Sequence, residues 1–161
     1  MEREPYEKKH YSYALRLLTK RDYSRAKVKE KLIARDCPED EAQALVDELV
    51  ELKYLREDYY IDARIKGLMH KGLAPGLIQY RLSEEKCPCS LELIYEIFES
   101  YGLSENEQIE KLVHKKLRLE NYDQTWTISQ EARLQRYLMS KGHQGENIKV
   151  IMRSVLPSPT Y

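Results

Sequence analysis

Apolar side chains recur along the chain at helical rather than strand spacing. Tyr11, Ala14, Leu15 and Leu18 fall at i, i+3, i+4 and i+7, one stripe of a helix, and Val28, Leu32 and Ile33 mark a second. Beyond Asp36-Cys37-Pro38, a third helix carries Ala42, Leu45, Val46 and Leu49. Ser24 is placed to cap the second helix and Asp40 the third. No segment alternates with period two for long enough to read as a strand, and the six glycines and six prolines fall mostly between helical stretches.

The three-helix pattern then repeats. Leu18, Val28 and Leu32 return as Leu68, Ile78 and Leu82, and Ala42, Leu45 and Leu49 return as Leu91, Ile94 and Phe98. A third copy opens with Ile109, Leu112, Val113 and Leu117, and continues through Leu134 and Leu138 to Ile148, Ile151 and Val155. Its second helix follows a longer connection, Asn121-Tyr122-Asp123-Gln124, with Thr127 and Gln130 spaced for a capping box. The expected fold is therefore all-α, with three tandem three-helix repeats forming an elongated, curved array. An N-terminal extension (1–10) and a short tail (157–161) flank repeats at 11–58, 59–103 and 104–156. Single units of this size bury little surface, so neighbours are expected to share cores or lie along a partner.

Composition narrows the function. At 161 residues, 42% hydrophobic, the chain has material for a core, and with 34% charged residues it has no apolar run long enough for a bilayer. No signal-like segment follows Met1, so the expected location is the cytoplasm, with no membrane contact. Cys37, Cys87 and Cys89 are an odd set with no second pair to complete a zinc spacing, and His10, His70, His114 and His143 are scattered. The thiols are expected to be reduced, Cys37 and Cys87 filling equivalent buried positions, with no metal and no cofactor. Phosphate-cradling glycine loops, nucleophile elbows and paired-histidine zinc motifs are absent, so no enzyme is expected.

Net charge is zero, but its distribution is uneven: eleven Lys and Arg against five Asp and Glu in 1–35, then two against ten in 36–62. Arg16 and Lys20 are spaced i, i+4, and Lys27, Lys31 and Arg35 i, i+4, i+8; Lys111, Lys115 and Arg118 form a similar set, followed by Arg133 and Arg136. Such stripes hold phosphates or a carboxylate-rich protein groove, or are simply solvated faces. A helix-turn-helix reading of the first copy fails because its second helix would bring Glu41, Asp47, Glu48 and Glu51 against DNA. Thirteen tyrosines against one tryptophan and one phenylalanine suit half-buried sites; Tyr59 and Tyr60 read as packing residues before base-stacking ones.

Several strings resemble the bacterial RecX regulators of the RecA recombinase. They are Ala14-Leu15-Arg16-Leu17-Leu18-Thr19-Lys20-Arg21-Asp22-Tyr23-Ser24-Arg25, Lys31 to Arg35, Asp47 to Leu55, Lys71-Gly72-Leu73-Ala74-Pro75, and Arg133 to Gly142. Their order and spacing together carry the resemblance, which runs from about Ala14 to Val155. It implies three three-helix repeats bent into a crescent, and a non-enzymatic monomer lying in the groove of the RecA filament on DNA. There it would hinder filament growth, strand exchange, ATPase and co-protease activity, and so bear on recombination, DNA repair and the SOS response. It also implies weak direct DNA contact through Lys20, Arg21, Arg25, Arg35, Arg136 and Lys141. A sequence-indifferent DNA-binding protein acting through basic helix faces is the competing expectation. Gly76 and Leu77 stand where the family places basic residues, so the middle repeat is expected to add little to phosphate binding.

Overall fold

The computed structural model describes residues 5–119 and 126–156; the connection through Asn121-Tyr122-Asp123-Gln124 and the tail 157–161 lie outside them. Among the described residues there is no β-strand. The helices are α1 (Pro5–Leu18), α2 (Arg25–Ile33), α3 (Glu39–Glu51), α4 (Glu57–His70), α5 (Pro75–Glu84), α6 (Leu91–Ser100), α7 (Glu105–Leu119), α8 (Ile128–Ser140) and α9 (Gly145–Val155). The chain divides into two compact units, 1–64 with 82–89, and 65–81 with 90–161.

In the first unit, Ala14, Val28, Leu32, Ala42, Val46 and Leu49 close one core, with Tyr23, Cys37, Leu45 and Leu55 at its margins. Each fully buried leucine there contributes on the order of 2 kcal/mol of transfer free energy. Ser24 caps α2, its hydroxyl accepting the Lys27 N–H. The turn after α2 closes through Asp36 at φ 64°, with the Cys37 N–H donating to the Leu32 carbonyl at 3.2 Å. Glu85 ties the unit's outlying segments together: Arg64 Nη2 meets it at 2.5 Å, and the Tyr60 hydroxyl donates to it at 3.0 Å. Burial and the Glu85 carboxylate push the Tyr60 phenol up to about 12. The same two causes raise the buried Cys87 thiol to about 11, so it stays protonated. Tyr60 thus packs, whereas Tyr59 is 54% exposed and carries the Arg56 guanidinium 4.2 Å from its ring centroid.

Helix α1 starts at Pro5 and buries His10. Two local expectations are corrected. Pro38, not Asp40, occupies the N-cap of α3; its extended backbone leads directly into Glu39, and Asp40 sits in the first turn, where its carboxylate meets the helix dipole. Ile33 is 42% exposed, because one residue beyond Leu32 the helix has rotated by about 100° away from the core stripe.

The second unit holds a core of Ile109, Val113, Trp126, Leu134, Leu138 and Ile148, edged by Leu112 and Met152. Helix α8 begins with the expected capping box, Thr127 and Gln130 bonding each other's backbone. First and third copies keep one register: Val28 and Leu134, Leu32 and Leu138, Ala42 and Ile148 are all buried, each pair 106 residues apart. His143 thereby takes the place of Cys37, its N–H likewise directed to a leucine carbonyl. Helix α6 departs from the expected alignment. Two extra residues in Cys87-Pro88-Cys89-Ser90 delay its N-cap, so Ile94 matches Ala42 and Phe98 matches Val46, while Leu91 is only half-buried.

Candidate anion-binding cleft

Within the second unit the ends of α4 and α8 are bound to the start of α7 by buried polar contacts. Gln108, in the first turns of α7, donates through Nε2 to the Met69 and Leu73 carbonyls, both at 2.9 Å. Met69 lies in the last turn of α4, where its carbonyl also accepts the Gly72 N–H, and Leu73 lies just beyond the helix end. His143 Nε2 lies 2.9 Å from the Gly72 carbonyl; since a carbonyl only accepts, that nitrogen carries the proton. Burial is the largest influence on this imidazole and holds its pKa below the ordinary value. The Ala74 N–H donates to the Lys141 carbonyl at 2.9 Å.

Two turns in left-handed backbone, Gly72 at φ 84° and Gly142 at φ 88°, make these contacts possible. Each follows a lysine. Lys71 and Lys141 are thereby presented beside Lys111 and Lys115, which lie one helical turn apart on α7. The four lysines line a cleft of about 440 Å³, with Tyr101 and Tyr137 among its walls. Lys116 Nζ and Lys141 Nζ stand 4.4 and 5.5 Å from the Tyr137 ring centroid, and Lys66 Nζ 5.6 Å from that of Tyr101. His70 meets Tyr101 edge-on at 5.6 Å.

Among the described residues, no carboxylate, hydroxyl nucleophile or thiol lines the cleft apart from the tyrosine phenols. Clustered ammonium groups on a partly enclosed surface raise the local concentration of anions. The arrangement therefore suits binding of phosphate or carboxylate groups, with aromatic faces beside them.

The structure brings together Lys111, Lys115 and Lys141 of the residues singled out in the sequence, and adds Lys71, His70, Tyr101 and Tyr137. Arg118, Arg133 and Arg136 are exposed on α7 and α8 but do not line the cleft. In the first unit the expected stripes are interrupted: α1 ends before Lys20 and α2 before Arg35, so neither completes a helical row. Arg35 and Arg16 stand 4.1 and 5.8 Å from the Tyr13 ring centroid, and Arg21 and Lys31 4.7 and 5.8 Å from that of Tyr23. Arg25 pairs with Glu57 at 3.7 Å and Lys27 with Glu30 at 2.8 Å, which lowers the Glu30 pKa. Lys20 is exposed.

Fold and cleft together define an all-α repeat protein with a lysine-lined cleft. The model of the RecX first three-helix domain matches residues 11–49. A regulatory protein RecX from Trichlorobacter lovleyi is 36% identical over 75 residues, 47% of either chain, so the match spans about half of that relative. One from Vibrio cholerae serotype O1 is 26% identical over 141 residues, covering 88% of this chain and 90% of that one. The crystal structure of RecX from Lactobacillus salivarius shares the fold, with a TM-score of 0.68 at 20% identity over 92% of this chain and 96% of that one. The chain is thus similar to RecX regulatory proteins along most of its length and to the RecX family model over its first three-helix bundle.

Proposed function

We propose that this protein regulates a RecA-type recombinase by lying, as a monomer, in the groove of the filament on DNA and hindering filament extension, and with it strand exchange, ATP hydrolysis and co-protease activity. It acts by binding, without chemistry of its own. The observation that carries this reading is the cleft in which Lys71, Lys111, Lys115 and Lys141 converge beside Tyr101 and Tyr137. Three successive repeats, 11–58, 59–103 and 104–156, supply several modest contacts, and linked contacts raise one another's effective concentration.

The test is titration into single-stranded-DNA-dependent ATP hydrolysis by the cognate recombinase. Wild-type protein is expected to inhibit at less than one molecule per recombinase subunit. Reversing Lys111, Lys115 and Lys141 to Glu should raise the half-inhibitory concentration more than tenfold, since a contact to a charged group is worth about 1.5–3 kcal/mol. An unchanged titration curve refutes the cleft as the contact surface. A second reading, direct sequence-indifferent DNA binding, draws on the tyrosine faces among the lysines, which suit base stacking. It requires binding to single strands without recombinase, with log affinity falling linearly and steeply in log salt.

A further inference from the structure

A second group of donor atoms lies in the first unit. His10 from α1, Cys37 from the α2–α3 turn and Glu41 from the first turn of α3 place one imidazole nitrogen, one sulfur and one carboxylate oxygen within 4.8 Å of one another. His10 and Cys37 are buried and Glu41 is exposed. They line a pocket of about 340 Å³ together with Leu45, Glu7 and Glu48. Among the described residues no lysine or arginine lines it, so its charge favours a cation.

His10 Nε2 lies 3.1 Å from the Arg35 carbonyl. The carbonyl can only accept, which puts the ring proton on Nε2 and the lone pair on Nδ1. A backbone carbonyl holding the far ring nitrogen is the arrangement that orients histidine ligands in protein metal sites. Nitrogen, sulfur and oxygen from three residues, with a fourth position open to water, is the donor set of a borderline divalent ion rather than of calcium or magnesium. Tetrahedral zinc separates its donors by about 3.5 Å, so the set closes with shifts of about 1 Å.

We propose that His10, Cys37 and Glu41 form a site for Zn²⁺ that ties α1 to the α2–α3 turn. The donors come from segments 27 and 31 residues beyond His10, so occupancy cross-links the first bundle and stabilises it by mass action.

The full-length protein, kept reduced, is dialysed against Zn²⁺ and, separately, titrated with Co²⁺ as a spectroscopic probe. One zinc per chain, a thiolate-to-cobalt charge-transfer band and a higher unfolding temperature with Zn²⁺ are expected. Cys37→Ser should abolish the band. Glu41→Gln, at an exposed position, should keep the metal-free unfolding temperature and weaken zinc affinity at least tenfold. The double variant Cys87→Ser, Cys89→Ser should bind as wild type. Absence of the band, a band that survives Cys37→Ser, or one lost with Cys87 and Cys89, overturns the site, as does an affinity unchanged by Glu41→Gln.

Discussion

Glycine-to-alanine substitution at three left-handed turns separates backbone strain from close packing. Gly102 has φ 58° and open space around an added Cβ, so Gly102→Ala carries only the left-handed penalty, about 1 kcal/mol. Asp36 and Lys86 already occupy such turns at φ 64° and 58°, which shows that this fold tolerates a side chain there. Gly142 has φ 88°, and an added Cβ would meet the Leu77 Cβ at 2.7 Å and the Ala74 Cβ at 3.5 Å. Neither atom can swing aside without its backbone, so an overpacking cost of about 1–3 kcal/mol adds to the strain. Gly72→Ala should fall between, because the atoms it meets, at 2.6 and 2.8 Å, are the terminal methyls of Leu112.

Gly142→Ala is therefore expected to destabilise by about 2–4 kcal/mol, or roughly 5–15 °C in unfolding temperature for a chain of this size. The assay is urea unfolding followed by fluorescence. The single tryptophan, Trp126, is buried in the core of the second unit and reports on the unit that contains all three turns. Lys141 is held through its carbonyl by Ala74, so Gly142→Ala should also weaken recombinase inhibition, whereas Gly102→Ala should not. If Gly142→Ala unfolds within about 0.5 kcal/mol of Gly102→Ala, the close approach to Leu77 is not what demands glycine, and the reasoning fails.

Two further outcomes concern the same contacts. Gln108→Ala should cost about 2–4 kcal/mol by urea unfolding, because it removes a buried donor from two carbonyls at once, and Gln108→Glu should cost more by aiming a carboxylate at both. His143 is held neutral by burial, so its contribution is present above the unfolded-state value near 6.5 and declines as pH falls through it toward the lower folded-state value. The urea midpoint should fall between pH 7.5 and 5.5 in the wild type, and fall less in His143→Asn.

Much of the fold was legible because its cores are built from locally periodic positions. Val28 with Leu32, and Ala42 with Leu45, Val46 and Leu49, are buried where helical spacing places them, and the recurrence of that pattern carried the repeat. Periodicity marks a stripe but neither its edge nor where the helix stops: Ile33, still within α2, is rotated off the core face, and Lys20 and Arg35 lie beyond the ends of α1 and α2. The α6 register was hidden by two inserted residues, which restart the phase without changing the residue types.

The sites were less legible because each joins residues brought together by turns rather than by spacing. Lys111 and Lys115 are readable on one helix. Lys71 and Lys141 reach the same cleft only because each precedes a glycine in left-handed backbone, and the signal that links them is the shared Lys-Gly pair ending α4 and α8. His143 illustrates the deeper reason. In the first two copies its position holds cysteine; in the third it holds an imidazole that reaches the Gly72 carbonyl. One buried slot of the repeat thus carries a thiol twice and a polar tie once. That tie holds the α4 and α8 ends beside Lys111 and Lys115, so four lysines from separate stretches of sequence line one cleft.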